Sequence, residues 1–96
     1  MAGYTLTPRA RRDLDSITAH SVREWGPEQA TRYARDLRSA IEMVAANPLR
    51  GRSRDELRSG YFSVPRGSHI IFYRRTSDGI EVVRIIHQRM EPGRHL

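Results

Sequence analysis

The sequence predicts an α+β domain: a short N-terminal strand, an antiparallel two-helix hairpin, and an antiparallel sheet that ends in a β-hairpin. Three observations predict it. Apolar residues recur at helical spacing from Ala10 to Val44, with one break at Trp25-Gly26-Pro27. From Tyr61 onward the pattern changes to β-branched and aromatic runs. Between the last two of these runs, Asp78-Gly79 is a two-residue hairpin signal. The 96 residues are one domain's worth, so residues 1–96 are expected to fold as a single unit.

Each element has a local cause. "GYTL" (3–6) is a short strand. Thr7 can cap a helix, and Pro8 suits its first turn. Ala10, Leu14, Ile17, Ser21 and Trp25 then form one helical stripe, which stops at Gly26. Pro27 opens a second helix, with Glu28 in its first turn, where the macrodipole favours a carboxylate. Ala30, Tyr33, Leu37, Ala40, Ile41 and Val44 form its apolar stripe. Asn47-Pro48 ends it, because a residue before proline is pushed out of the helical region. "LRGRSRDELRSG" (49–60) reads as a loop with at most one helical turn. "YFSVP" (61–65), "HIIFYRR" (69–75) and "IEVVRIIHQR" (80–89) read as strands.

With Asp78 and Gly79 at the turn centre, Ser77 faces Ile80, Tyr73 faces Arg84, Phe72 faces Ile85 and Ile70 faces His87. This register puts Ile70, Phe72, Val83 and Ile85 on the face toward the helices. It puts Tyr73, Arg75 and Arg84, with Ile71, Val82 and Ile86, on an open face. An open, partly apolar face invites a partner. The segment after Ile86 ends the alternation, and Pro92 lacks a donor, so the tail is expected at a sheet margin, free to meet something larger.

Composition narrows the partner. All 17 basic residues are arginine against 11 acids, a formal net charge of +6. Residues 1–49 hold seven Arg against six acids; residues 50–96 hold ten against five, so the second half carries most of the excess. Guanidinium forks bind carboxylates and phosphates alike, so an acidic protein or a nucleic acid is the class of partner, and composition does not choose between them. There is no cysteine, which excludes a disulfide framework and a thiolate metal site and fits a reducing compartment. No apolar run approaches the roughly 20 residues of a membrane span. A soluble cytoplasmic protein is expected.

Chemistry-bearing residues are sparse. His20, His69, His87 and His95 show no paired metal-ligand spacing, so neither a metal nor another cofactor is expected. His87 could serve as a general acid or base, or as a half-buried structural residue at a strand end. No nucleophile elbow, phosphate loop or paired-carboxylate pattern occurs. Arg9/Asp13, Arg11/Asp15, Arg32/Asp36 and Arg38/Glu42 read as solvated helical pairs. Trp25 and Tyr33 read as core packing at the helical turn.

The order of "YTLTPRARRDLDSI", "WGPEQATRYARDL", "NPLRGRSRDELRSGY" and "HIIFYRRTSDGIEVVRIIHQRM" resembles the RelE/ParE toxin superfamily of bacterial toxin–antitoxin modules, and within it the ParE branch. The resemblance spans almost the whole chain. It implies a helical hairpin packed on an antiparallel sheet, and a cognate ParD-like antitoxin whose acidic C-terminal segment wraps the toxin. ParE-like members poison DNA gyrase by binding, in modules that stabilise plasmids; RelE-like members cleave mRNA in the ribosome. The RNA-cleaving branch carries basic residues at positions that match approximately Tyr61, Ser63 and Ile70, none of which is basic here. Arg89 matches a late arginine of that branch. His87 matches the His of a His-Tyr pair, but Gln88 replaces the Tyr; Arg66 could stand in for a missing cation.

The expectation is therefore a gyrase inhibitor that acts by binding, with no catalytic residues and no direct sequence-specific nucleic-acid binding. Its partner-binding residues would be Tyr73, Arg74, Arg75, Arg84, Arg89 and Met90. The alternative is a ribosome-dependent endoribonuclease using Arg66, His87 and Arg89.

Overall fold

Thr7 performs two tasks where the first strand turns into the first helix. Its hydroxyl accepts from the Ala10 N–H at 3.1 Å and donates to the Val83 carbonyl at 2.9 Å, while its own N–H bonds the Val82 carbonyl at 3.0 Å. The same residue caps the helix and ties its start to the sheet. The computed structural model describes residues 3–96.

The order is β1 (Gly3–Leu6), α1 (Pro8–Trp25), α2 (Pro27–Ala46), β2 (Arg52–Ser53), β3 (Tyr61–Arg66), β4 (His69–Thr76) and β5 (Gly79–His87). Short 3₁₀ turns lie at Pro48–Arg50 and Pro92–Arg94. Both helices start at their prolines, as the sequence predicts, and Gly26 joins them at φ +87°, a conformation that favours glycine. Asn47 follows α2, as the proline after it requires.

The strands form one sheet in the order β1-β5-β4-β3-β2. β1 runs parallel to β5 and the other pairings are antiparallel, so the sheet is mixed. The two-residue strand β2 lies in a segment that the sequence reads as loop. The helical hairpin covers one face. Leu37, Ala40, Ile41 and Val44 of α2 pack with Ala10 of α1 against Ile71, Tyr73, Ile80, Val82 and Ile85. At roughly 25 cal/mol per Å² of apolar area, burying each large aliphatic side chain contributes about 1.5–3 kcal/mol.

The hairpin register differs from the predicted one. Thr76 pairs with Gly79, which puts Ser77 and Asp78 at the turn, and Tyr73 pairs with Val82. Val83 then bulges. Beyond it Phe72 opposes Arg84, Ile71 opposes Ile85, Ile70 opposes Ile86 and His69 opposes His87. The face assignment on β4 inverts accordingly: Ile71 and Tyr73 meet the helices, while Ile70 and Phe72 point away. The cause lies at Gly79. It is the strand residue opposite Gly3, and a Cβ there would overlap the Gly3 backbone. The glycine serves the close approach of β1 rather than the turn centre.

Gly79→Ala is expected to push β1 off β5 and to cost about 1–3 kcal/mol of stability, as overpacking does. Urea unfolding measures the loss. Hydrogen exchange should place it on residues 3–6, and unchanged protection there in the Gly79→Ala variant would contradict the pairing.

Candidate functional site

The face of the sheet away from the helices is less open than the sequence suggests. Ser63, Phe72 and Ile86 lie on it and are buried. Arg54 covers part of it, its guanidinium 5.4 Å from the Phe72 ring centre and one N–H on the Ser63 hydroxyl at 3.2 Å. The chain after β5 covers another part: Arg58, Tyr61, Arg84, His95 and Leu96 line one small cleft. A mixed apolar and guanidinium strip remains on view, where Arg58 lies over the Tyr61 ring at 5.7 Å and Arg74 pairs with Glu81 at 2.8 Å. Arg52, Arg58, Arg74 and Arg75 are exposed. So is Leu49, which shows 64% of its surface in the loop before β2.

Two of the predicted contact residues are structural. Tyr73 is fully buried on the helix side. Its hydroxyl donates to the Pro48 carbonyl at 2.7 Å and accepts from the Gly51 N–H at 3.0 Å, which satisfies it where water cannot reach. Burial pushes this phenol up, against the opposing effect of the Gly51 N–H, so it stays a donor at ordinary pH. Its placement follows from the corrected register. Arg84 is the other. Its Nε and one terminal nitrogen form a two-pronged pair with Asp13 of α1 at 2.7 and 2.9 Å, and its remaining N–H group holds the His95 carbonyl at 2.8 Å. Asp13 therefore turns to Arg84 rather than to Arg9, its predicted helical partner. The tail is clasped rather than free.

Arg74, Arg75 and Arg89 are exposed, and Met90 is half-buried. Met90 shares a groove with Ile17, His69 and His87. Arg66 is half-buried and reaches the Asp36 carbonyl at 3.4 Å.

His87 does not stand alone. It opposes His69 across the β4–β5 pair, ring centres 5.4 Å apart. The Tyr33 hydroxyl lies 2.6 Å from His69 Nδ1. The string continues through Trp25 at 6.5 Å from Tyr33 to His20 at 6.3 Å from Trp25. Trp25 is half exposed, so it is not core packing but the wall of a cleft of about 330 Å³ that His20, His69 and His87 also line. Burial, then the neighbouring His87 and His20, hold His69 below the usual imidazole range, while Asp13 acts the other way. The sequence reading missed this cluster because its register put Ile70 opposite His87. Among the described residues no group of three or more His, Cys, Asp or Glu could hold a metal ion, and no helix is long and apolar enough to cross a membrane.

The family profile described as "ParE toxin of type II toxin-antitoxin system, parDE" matches residues 4–92. A protein named Toxin ParE1 from Caulobacter vibrioides is 44% identical over 96 residues, covering 100% of this chain and 99% of that one. A Toxin ParE1 from Mycobacterium tuberculosis is 47% identical over 94 residues, covering 97% and 96%. Among solved structures, a chain of the chromosomal ParDE toxin–antitoxin system from P. aeruginosa superposes with a TM-score of 0.76 at 25% identity, over 91% of this chain and 96% of that one. A chain of the RelBE2 toxin–antitoxin complex from M. tuberculosis gives 0.55 at 28%, over 90% and 96%.

Breaking the Asp13–Arg84 pair leaves a mostly buried charge without its partner. Asp13→Ala or Arg84→Ala should cost about 2–4 kcal/mol in denaturant unfolding. Arg84→Ala should also speed backbone exchange in residues 92–96. Loss of stability without faster exchange in the tail would show that Arg84 does not hold it.

Proposed function

The chain belongs to the ParE toxin family of type II toxin–antitoxin systems, and from that premise we propose that it poisons DNA gyrase by binding and is neutralised by a ParD-like antitoxin with an acidic C-terminal segment. The exposed arginines around Tyr61 carry the reading. Arg52, Arg58 and Arg74 present guanidinium forks around apolar and aromatic surface, the composition of a protein-docking patch, and Arg75 adds one on the opposite face of the same strand end. The family likeness of the ParDE chain supports a cognate antitoxin, because that protein is described as part of such a system. Arg89 and Met90, at the opposite end of the sheet, extend the binding residues toward a larger target.

Cleavage of ribosome-bound mRNA by Arg66, His87 and Arg89 is the competing reading. The opposition of His69 and His87 favours it, since two imidazoles can act as base and acid on one phosphodiester. Three features weigh against it. The positions matched to middle-strand cations are Tyr61, Ser63 and Ile70. Arg84 is committed to Asp13. Both imidazoles already have hydrogen-bond partners at Nδ1.

Induction of the chain should stop DNA synthesis before protein synthesis, read by pulse labelling of both. An earlier stop of translation would overturn the gyrase reading. Co-expression of a cognate ParD-like antitoxin should restore growth. Replacing both Arg58 and Arg74 with Glu should slow association about tenfold or more and flatten its salt dependence, because charges of this kind act chiefly on encounter. Unaltered association at low salt would remove this patch from the antitoxin interface.

A further inference from the structure

The Tyr33 hydroxyl has more neighbours than a packing residue needs. It accepts the Ser68 N–H at 3.1 Å, and it approaches His69 Nδ1 at 2.6 Å, the Arg66 carbonyl at 3.4 Å and the Ser68 hydroxyl at 3.5 Å. Its ring also packs on Gly67, where φ is +56° and a Cβ would strike the ring. One phenol on α2 therefore gathers the whole β3–β4 turn. A single O–H can be donated once. The shortest contact is to Nδ1, at a distance typical of O–H donation, so the imidazole is the acceptor and its proton sits on Nε2. His87 is held in the same tautomer, because its Nδ1 accepts the Arg89 N–H at 3.1 Å. Two facing imidazoles thus both accept a hydrogen bond at Nδ1.

We propose that the Tyr33–His69 bond, backed by His87, is an acid-sensitive latch that holds the β3–β4 turn, and with it the Ser68–His69 wall of the cleft beside Trp25, on the helical hairpin. Protonation of His69 at Nδ1 replaces an acceptor by a donor. The phenol and the imidazolium then oppose each other, and the hydroxyl must turn to the Arg66 carbonyl or the Ser68 hydroxyl, both at the limit of a hydrogen bond.

The surrounding charges do not relieve this. From α1 come His20 and Asp13, from α2 Tyr33, and from β5 His87, while Arg66 of β3 contributes its carbonyl and turns its guanidinium to the Asp36 carbonyl. Asp13 is the one carboxylate that favours a charge on His69, and its oxygens already take two guanidinium N–H groups and the Ile85 N–H. His87 and His20 act against a charge on His69. A histidine harder to protonate in the fold than in the unfolded chain leaves full stability above its ordinary value of about 6.5. Stability is then lost as pH falls from there through the lower folded value. Opening would expose Tyr33 and add to the half of Trp25 already on view, so the latch controls how much aromatic surface this end of the molecule offers.

Trp25 is the chain's one tryptophan and reports directly on the cleft. His20→Gln removes the imidazole nearest to it. In that background, the protein taken from about pH 7.5 to about pH 5 should show red-shifted Trp25 emission and a melting temperature lower by about 5 °C. The protection factor of the Ser68 N–H should fall about tenfold, the equivalent of one pKa unit. Adding His69→Asn places a carbonyl oxygen where Nδ1 stands; it accepts from Tyr33 and does not titrate, so these changes should at least halve. Tyr33→Phe should lower the melting temperature at about pH 7.5 and remove most of the remaining pH dependence. Undiminished acid sensitivity with Asn at position 69 would overturn the latch. If that variant does not fold, ¹⁵N spectra of the parent decide: an Nδ1 that carries the proton at neutral pH, or a His69 titration that leaves Ser68 protection unchanged, overturns it equally.

Discussion

Asp13 supplies the constraint on which the arrangement depends. β1 stops at Leu6, so the outer edge of β5 would be bare from Val83 onward, a row of unpaired backbone groups. The Thr7 hydroxyl takes the Val83 carbonyl, and the Asp13 carboxylate takes the Ile85 N–H at 2.9 Å, so α1 finishes the edge that the strand leaves open. That placement fixes how α1 lies on the sheet. It gives Arg84 a partner at the rim, and Arg84 in turn clasps the chain at His95. A carboxylate one helical turn away would satisfy none of these groups. The pair is two-pronged and mostly buried, the geometry in which an ion pair resists exchange with water.

Much of the fold was legible in the sequence because its signals are local. Thr7-Pro8, Gly26-Pro27 and Asn47-Pro48 set the helix boundaries, and the apolar stripe of α2 names five residues that the structure buries, Ala30, Leu37, Ala40, Ile41 and Val44, with Tyr33 half-buried. What was not legible depends on contacts distant in sequence. The parallel pairing of β1 with β5 requires Gly79 to lie under Gly3, and nothing near Gly79 announces that. A turn set one residue earlier, with a bulge at Val83, then exchanged the faces of β4. Tyr73 moved from the surface to the core, and His69 came opposite His87. The short strand β2 has no pattern of its own and exists because Arg52 and Ser53 pair with β3.

The site residues divide along the same line. Arg74, Arg75 and Arg89 were readable as exposed cations because their neighbours in sequence are polar or end a strand. Arg84 was not, because its partner lies 71 residues away. Leu49 and Trp25 carry exposed apolar surface: Trp25 is the last residue of α1, where its stripe has run past the sheet, and Leu49 lies in the 3₁₀ turn after α2. Guanidinium groups around Tyr61 are suited to an acidic, partly apolar protein segment. The histidine cluster at the other end is occupied in holding a turn. On the proposed reading, the arginine-bearing end is the working part.

Purified gyrase and relaxed plasmid test that claim most directly. The chain should suppress supercoiling, with inhibition saturating as toxin titrates enzyme, and a variant combining His69→Asn and His87→Gln should inhibit equally provided that it folds. Full gyrase activity at saturating folded protein, together with cuts in ribosome-bound mRNA that vanish in that variant, would contradict it.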